Sequence, residues 1–148
     1  MPAQANLTPV MTAGEVNDLL ATVFPELNRQ HSFYEALEVF PGGCTVRLNA
    51  DESHLRPGGT VSGPALFALA DVGGYVCVLS HAGPNALSVT TNLNINFMRK
   101  ALAGPIDGHC RILKLGRNLM VFEVDMVAGP DGQTVAHATG TYSIPPKR

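Results

Sequence analysis

The chain has 148 residues, 45% hydrophobic and 15% charged, with a net charge of −2. That balance excludes a disordered chain and any bulk attraction to nucleic acid or anionic membranes. The length suits one domain with a real core, and the three cysteines, Cys44, Cys77 and Cys110, form no C-x-x-C pair and read as reduced thiols of a cytoplasmic protein.

No basic stretch followed by a long apolar one opens the chain, so no secretory leader is expected. Thr12 and Glu15 have the spacing of a capping box, and Val16, Leu19, Leu20 and Val23 then recur at helical intervals until Pro25 closes the helix. Ala36–Phe40 and Cys44–Leu48 flank Pro41-Gly42-Gly43 and read as a hairpin. Asp51 to Thr60 is polar and rich in Gly and Pro, which predicts a loop.

A continuous apolar run, Pro64 to Leu79, follows. It is shorter than the roughly 20 residues of a membrane span and reads as a core helix with Pro64 at its first position, Gly63 or Ser62 as its cap and Gly83-Pro84-Asn85 as its end. Beyond it Val89, Thr91, Leu93, Ile95 and Phe97 alternate with Thr90, Asn92, Asn94 and Asn96, a period-two strand. Further strands are expected near 106–115, 119–128 and 134–143, joined by Gly116-Arg117-Asn118 and Gly129-Pro130-Asp131-Gly132. A helix apolar on all sides belongs inside something, and an antiparallel sheet curled around it meets that need. The fold class is therefore α+β: one domain, with residues 1–33 a helical extension and residues 34–148 a sheet wrapped around one long central helix.

Asp71 interrupts the apolar helix. A carboxylate surrounded by hydrocarbon is costly unless it is paired, hydrogen-bonded or used. It could be a structural group bonded across a subunit boundary, or it could act as general base to water or as a direct nucleophile. The free N–H groups at the helix start can hold a developing oxyanion, and Gly63 is the natural donor because Pro64 has no N–H. Eight residues along a helix span about 12 Å, too far for Gly63 and Asp71 of one chain to serve one carbonyl. Two such helices running antiparallel across a two-fold axis bring Gly63 of one copy to Asp71 of the other, which predicts a homodimer. Gly73-Gly74 suggests close approach by the sheet, another backbone or a ligand, packing against the sheet being the simplest of these.

The segment Ser62 to Asp71 and the order of elements resemble the hotdog-fold acyl-CoA thioesterases of the phenylacetic-acid-degradation type (the hydroxybenzoyl-CoA thioesterase superfamily), over about Glu35 to Ile144. Their motif is His-Gly-Gly, six residues, then Asp. Here Ser62 stands at the His, Pro64 at the second Gly, and Arg56 where Asn is frequent. The resemblance implies acyl-CoA hydrolysis, the Gly63 amide on the thioester oxygen, Thr90 as the hydroxyl that positions water, and dimers paired into a tetramer. It implies no metal or cofactor other than the coenzyme A of the substrate. A β-branched Thr90 also suits a strand on its own account.

Ser62, Pro64 and Arg56 line the expected binding region, and His54 in the preceding loop could contact substrate or stay solvated. Arg99-Lys100 and Arg117 are candidates for the coenzyme A phosphates, although solvated surface cations are the default. Cys77 reads as a small core residue, the histidines have no metal spacing, and neither a Gly-x-Ser-x-Gly elbow nor a phosphate-cradling Gly loop occurs. The competing functions are a non-catalytic acyl-CoA-binding or structural dimer, and hydratase chemistry, which wants a His where Ser62 stands.

Overall fold

The computed structural model describes residues 7–28, 33–129 and 131–146. Pro130 of the last expected turn, His31 and the residues before Leu7 lie outside them. Helix α1 covers Ala13–Val23 with its capping box formed: Thr12 Oγ1 accepts from the Glu15 N–H at 3.2 Å, and Glu15 Oε1 accepts from the Thr12 N–H at 3.0 Å. Val16 and Leu20 are its buried side. A single 3-10 turn, Pro25–Asn28, follows, ending the helix where Pro25 predicts.

The strands are β1 (Tyr34–Phe40), β2 (Gly43–Ala50), β3 (Leu55–Arg56), β4 (Thr60–Val61), β5 (Val89–Phe97), β6 (Gly104–Leu115), β7 (Leu119–Ala128) and β8 (Gln133–Ser143). Six of them form one antiparallel sheet in the order β1-β2-β6-β7-β8-β5. The segment expected to be loop is more ordered than its composition suggests. It holds a 3-10 turn at Glu52–His54 and the two-residue pair β3–β4, turned by Gly58 and Gly59 at φ +102° and +81°. Only glycine adopts such angles without strain.

Helix α2 runs Gly63–Ala82, 20 residues, longer than the apolar run alone indicates. By length and composition it could cross a membrane. Here it is the core helix, touching every strand of the six-stranded sheet. Its second half, Val72 through His81, is buried without exception. The first half is open along one stripe, where Pro64 and Phe67 are exposed and Ala68 and Asp71 partly so. Spacings of three, four and seven residues put these on one helix face.

Gly73 and Gly74 are packing positions. A Cβ at Gly73 would lie 2.4 Å from Cys110 Sγ, and one at Gly74 would lie 2.3 Å from the Phe122 ring. The sheet presses against bare helix backbone there, and the ring of Phe122 occupies the space.

The two edges of the sheet are treated differently. At β1, the Asn17 amide donates to the Ala36 carbonyl and accepts from the Ala36 N–H, both at 2.9 Å. Asn28 does the same for Tyr34, at 2.8 and 2.9 Å. Two side-chain amides from the N-terminal extension thus stand in for a neighbouring strand. At the other edge, β5 ends the sheet, and Val89, Phe97 and the adjoining Met98 are each more than half exposed. An unpaired strand is a template for another chain. Replacing Asn17 and Asn28 together by Ala is expected to expose the β1 edge and to produce concentration-dependent species larger than the wild-type assembly in sedimentation velocity. An unchanged distribution would show that these amides do not guard the edge.

Candidate active site

Asp71 does not point into a sealed interior. It sits on the open stripe of α2, and its carboxylate is gripped from the sheet. The Thr90 hydroxyl donates to Oδ1 in a short contact. The Tyr142 hydroxyl lies 2.9 Å from the same oxygen and 2.9 Å from the Asp71 carbonyl. A lone carboxylate among apolar neighbours is tolerable when held this way.

Thr90 reaches Asp71 through an irregularity that the strict alternation did not predict. Thr90 pairs with Tyr142 and Asn92 with Thr141, so the register shifts at Thr91. Without that bulge Thr90 would share the outer face with Asn92, Asn94 and Asn96. With it, Thr90 joins Leu93 and Ile95 on the inner face, opposite Tyr142, Gly140 and Ala138. Bulges re-aim side chains in this way.

Tyr142 was not among the residues singled out from the sequence. It is 4% exposed, stacks on Tyr75 with ring centroids 6.0 Å apart, and meets Phe122 at 5.9 Å. Burial first, and then the nearby Asp71 charge, hold its hydroxyl far above the ordinary tyrosine range, so it keeps its proton and donates. The signal was present: in a strand whose inward positions are Ala136, Ala138 and Gly140, one bulky residue carries a hydroxyl that must find a partner when buried. Tyr142→Phe is expected to keep the ring stack but lower turnover about tenfold, because Asp71 loses one of the two hydroxyls that hold its Oδ1. Unchanged rates would reduce Tyr142 to packing.

The helix start is organised by Ser62. It is the N-cap, with Oγ accepting from the Ala65 N–H at 3.3 Å, so Gly63 is the first helical residue and the exposed Pro64 the second rather than the first. The Ser62 N–H donates to the His54 carbonyl at 2.8 Å. Among the described residues none accepts from the Gly63 N–H. The Phe97 ring lies beside it, 3.3 Å from where a Cβ on Gly63 would sit.

His54 is not a solvated loop residue. Its side chain is 12% exposed, its Nδ1 accepts from the Asp51 N–H at 3.0 Å, and its ring meets Phe33 edge-on at 4.6 Å. Its visible work is to brace the segment that carries Ser62. Arg56 is exposed and lies 3.3 Å from the Pro57 carbonyl. Arg99 and Lys100 are exposed just after β5, beside the loop leading into α2, since the Val61 N–H donates to the Ala101 carbonyl at 2.8 Å. They share an end of the molecule with Gly63. Arg117 lies at the opposite end, in the wall of a cavity of about 1060 Å³ together with Gly83, Leu87 and Ile144.

Residues 58–135 match the family model described as the thioesterase superfamily. A solved structure from Silicibacter sp. TM1040, provisionally described as a thioesterase, is 44% identical; the match covers 95% of this chain and 96% of that one, with a TM-score of 0.85. The structure of zebra fish thioesterase superfamily member 2 is 25% identical, covering 91% of this chain and 99% of that one at a TM-score of 0.79. A provisionally named esterase of Pseudomonas aeruginosa is 30% identical over 139 residues, 93% of each chain. The long helix wrapped by a six-stranded antiparallel sheet is the hotdog fold that the sequence led us to expect.

Proposed function

This chain is a member of the thioesterase superfamily, and we propose that it hydrolyses acyl-CoA thioesters at sites shared between two copies. The observation that carries the proposal is the presence, on one helix, of a carboxylate held by Thr90 and Tyr142 on its open stripe and of a Gly63 N–H at its start that none of the described residues accepts from.

In this reading the thioester oxygen takes the Gly63 N–H, helped by the positive end of α2. Asp71 of the other copy either draws a proton from attacking water or attacks the carbonyl itself. Thr90 and Tyr142 keep its Oδ1 in place and leave Oδ2 for the reaction. The carbonyl carbon gains an oxygen, the carbon–sulfur bond breaks, and the coenzyme A sulfur leaves with a proton. The scheme runs on protein groups and water. Arg99 and Lys100, exposed at the Gly63 end, take the phosphates of the nucleotide end of the substrate in this reading.

The closed β1 edge and open β5 edge support pairing of two copies through β5, and such dimers would pair again into a tetramer. The three free thiols fit a reducing compartment, and we place the activity in the cytoplasm.

The test is release of free thiol from short-chain, medium-chain and aromatic acyl-CoAs by the purified protein. Saturable release from at least one class is expected. Binding of acyl-CoA with no release would favour a non-catalytic acyl-CoA-binding dimer. Label recovered in the Asp71 carboxylate after a single turnover in oxygen-18 water identifies attack by the carboxylate, with water opening the mixed anhydride at the aspartyl carbon; base catalysis puts label in the product acid alone.

A further inference from the structure

All three cysteines of the chain converge on one point in the core. Cys44 on β2, Cys77 on α2 and Cys110 on β6 are each at most 2% exposed, and their sulfurs lie within 4.8 Å of one another. The Cys44 and Cys77 sulfurs are 3.4 Å apart. Cys44 and Cys110 are direct partners across the β2–β6 ladder, and Gly73 supplies the space into which Cys110 projects. Small apolar packing would be served equally by alanine or valine. The convergence of every sulfhydryl in the sequence, one from each of three elements, points to a ligand for thiols.

Charge and coordination number select the ligand. Net charge is expensive in a sealed apolar space. Zinc on three thiolates carries a negative charge and wants a fourth donor. The nearby His81 is engaged: its Nε2 accepts from the Gly42 N–H at 3.0 Å, and its Nδ1 faces Ser80 Oγ and the Cys77 carbonyl at 3.0 and 3.1 Å. Copper(I) on three thiolates carries still more charge. Trivalent arsenic takes three sulfurs in a pyramid and forms a neutral centre. We infer that Cys44, Cys77 and Cys110 form a binding site for a trivalent metalloid, arsenic(III) entering as neutral arsenous acid.

The exchange balances without an oxidant. Three As–O bonds break and three As–S bonds form, each thiol proton leaves with a hydroxide as water, and arsenic stays trivalent. Entry requires α2 and the sheet to part locally, so uptake is slow and quickens in mild denaturant. The filled site ties β2, α2 and β6 together and raises the thermal midpoint.

The test incubates the reduced full-length protein with sodium arsenite, with and without sub-denaturing urea, and removes the excess by gel filtration. One arsenic per chain is expected in native mass spectra, with three sulfur neighbours and no oxygen in the arsenic X-ray absorption spectrum. Uptake should be faster in urea, and Cys110→Ala should lose the adduct on the column. Two sulfurs with one oxygen, no adduct after urea-assisted exchange, or retention of zinc or copper(I) with arsenite excluded would each overturn the site. Where Cys110→Ala does not fold, the wild-type absorption spectrum decides by itself.

Discussion

Asp71→Asn should lower thiol release by about 10²- to 10⁴-fold, the range that a positioned acid–base group contributes. The substitution keeps shape and can still meet the Thr90 and Tyr142 hydroxyls, so the fold and the grip on the side chain remain. What it removes is the basicity and nucleophilicity of the carboxylate. Near-wild-type turnover would take Asp71 out of the chemistry and leave it a structural partner of Tyr142. Gly63→Val attacks the other half of the site, since it keeps the N–H but crowds the approach beside Phe97. Each variant alone should be inactive. Unfolded together, mixed and refolded, they should recover about one quarter of wild-type activity, because half the dimers are mixed and each mixed dimer has one intact site of two. Sites confined to single chains predict no recovery.

Phe122→Ala is expected to lose about 3–5 kcal/mol of stability, near the upper end of that range. Phe122 is fully buried, and its ring presses on the bare backbone of Gly74 and Gly140 and on Tyr142. Two of its neighbours therefore have no side chain with which to fill the space it leaves. Gly74→Ala alone drives a Cβ into the same ring, an overpacking that costs about 1–3 kcal/mol against a helix-propensity gain of about 1 kcal/mol. In the double variant the new methyl enters the vacated space, so its loss should be smaller than the sum of the single losses by about 1 kcal/mol or more. Urea denaturation of the four proteins measures this. Strict additivity would mean that Gly74 and Phe122 do not share a space.

Both predictions concern residues whose importance was legible to different degrees. Asp71 stood out because one acid in a long apolar run violates the cost of burying charge, and Gly63 followed from the geometry of a helix start. The companions of Asp71 were harder to see. Thr90 was reached by resemblance, and the alternating pattern of its own strand set it on the wrong face. Tyr142 lies 71 positions from Asp71, a separation at which no local pattern operates. The loop from Asp51 to Thr60 was read from its Gly and Pro content, which reports turns but not the short β3–β4 pairing between them.

The order of helices and strands, the capping box at Thr12, the burial of α2 and the oddity of Asp71 were determined by the sequence alone, because each depends on neighbours within a few residues. Periodicity, capping and the cost of a buried charge act at that range. Tertiary structure decided the rest: the bulge at Thr91 that turns Thr90 inward, the Tyr142 hydroxyl on Asp71, the asparagines that close one sheet edge, and the meeting of three sulfurs behind α2. These arise where segments distant in the chain are brought together, and the register that joins them is set by packing across the sheet.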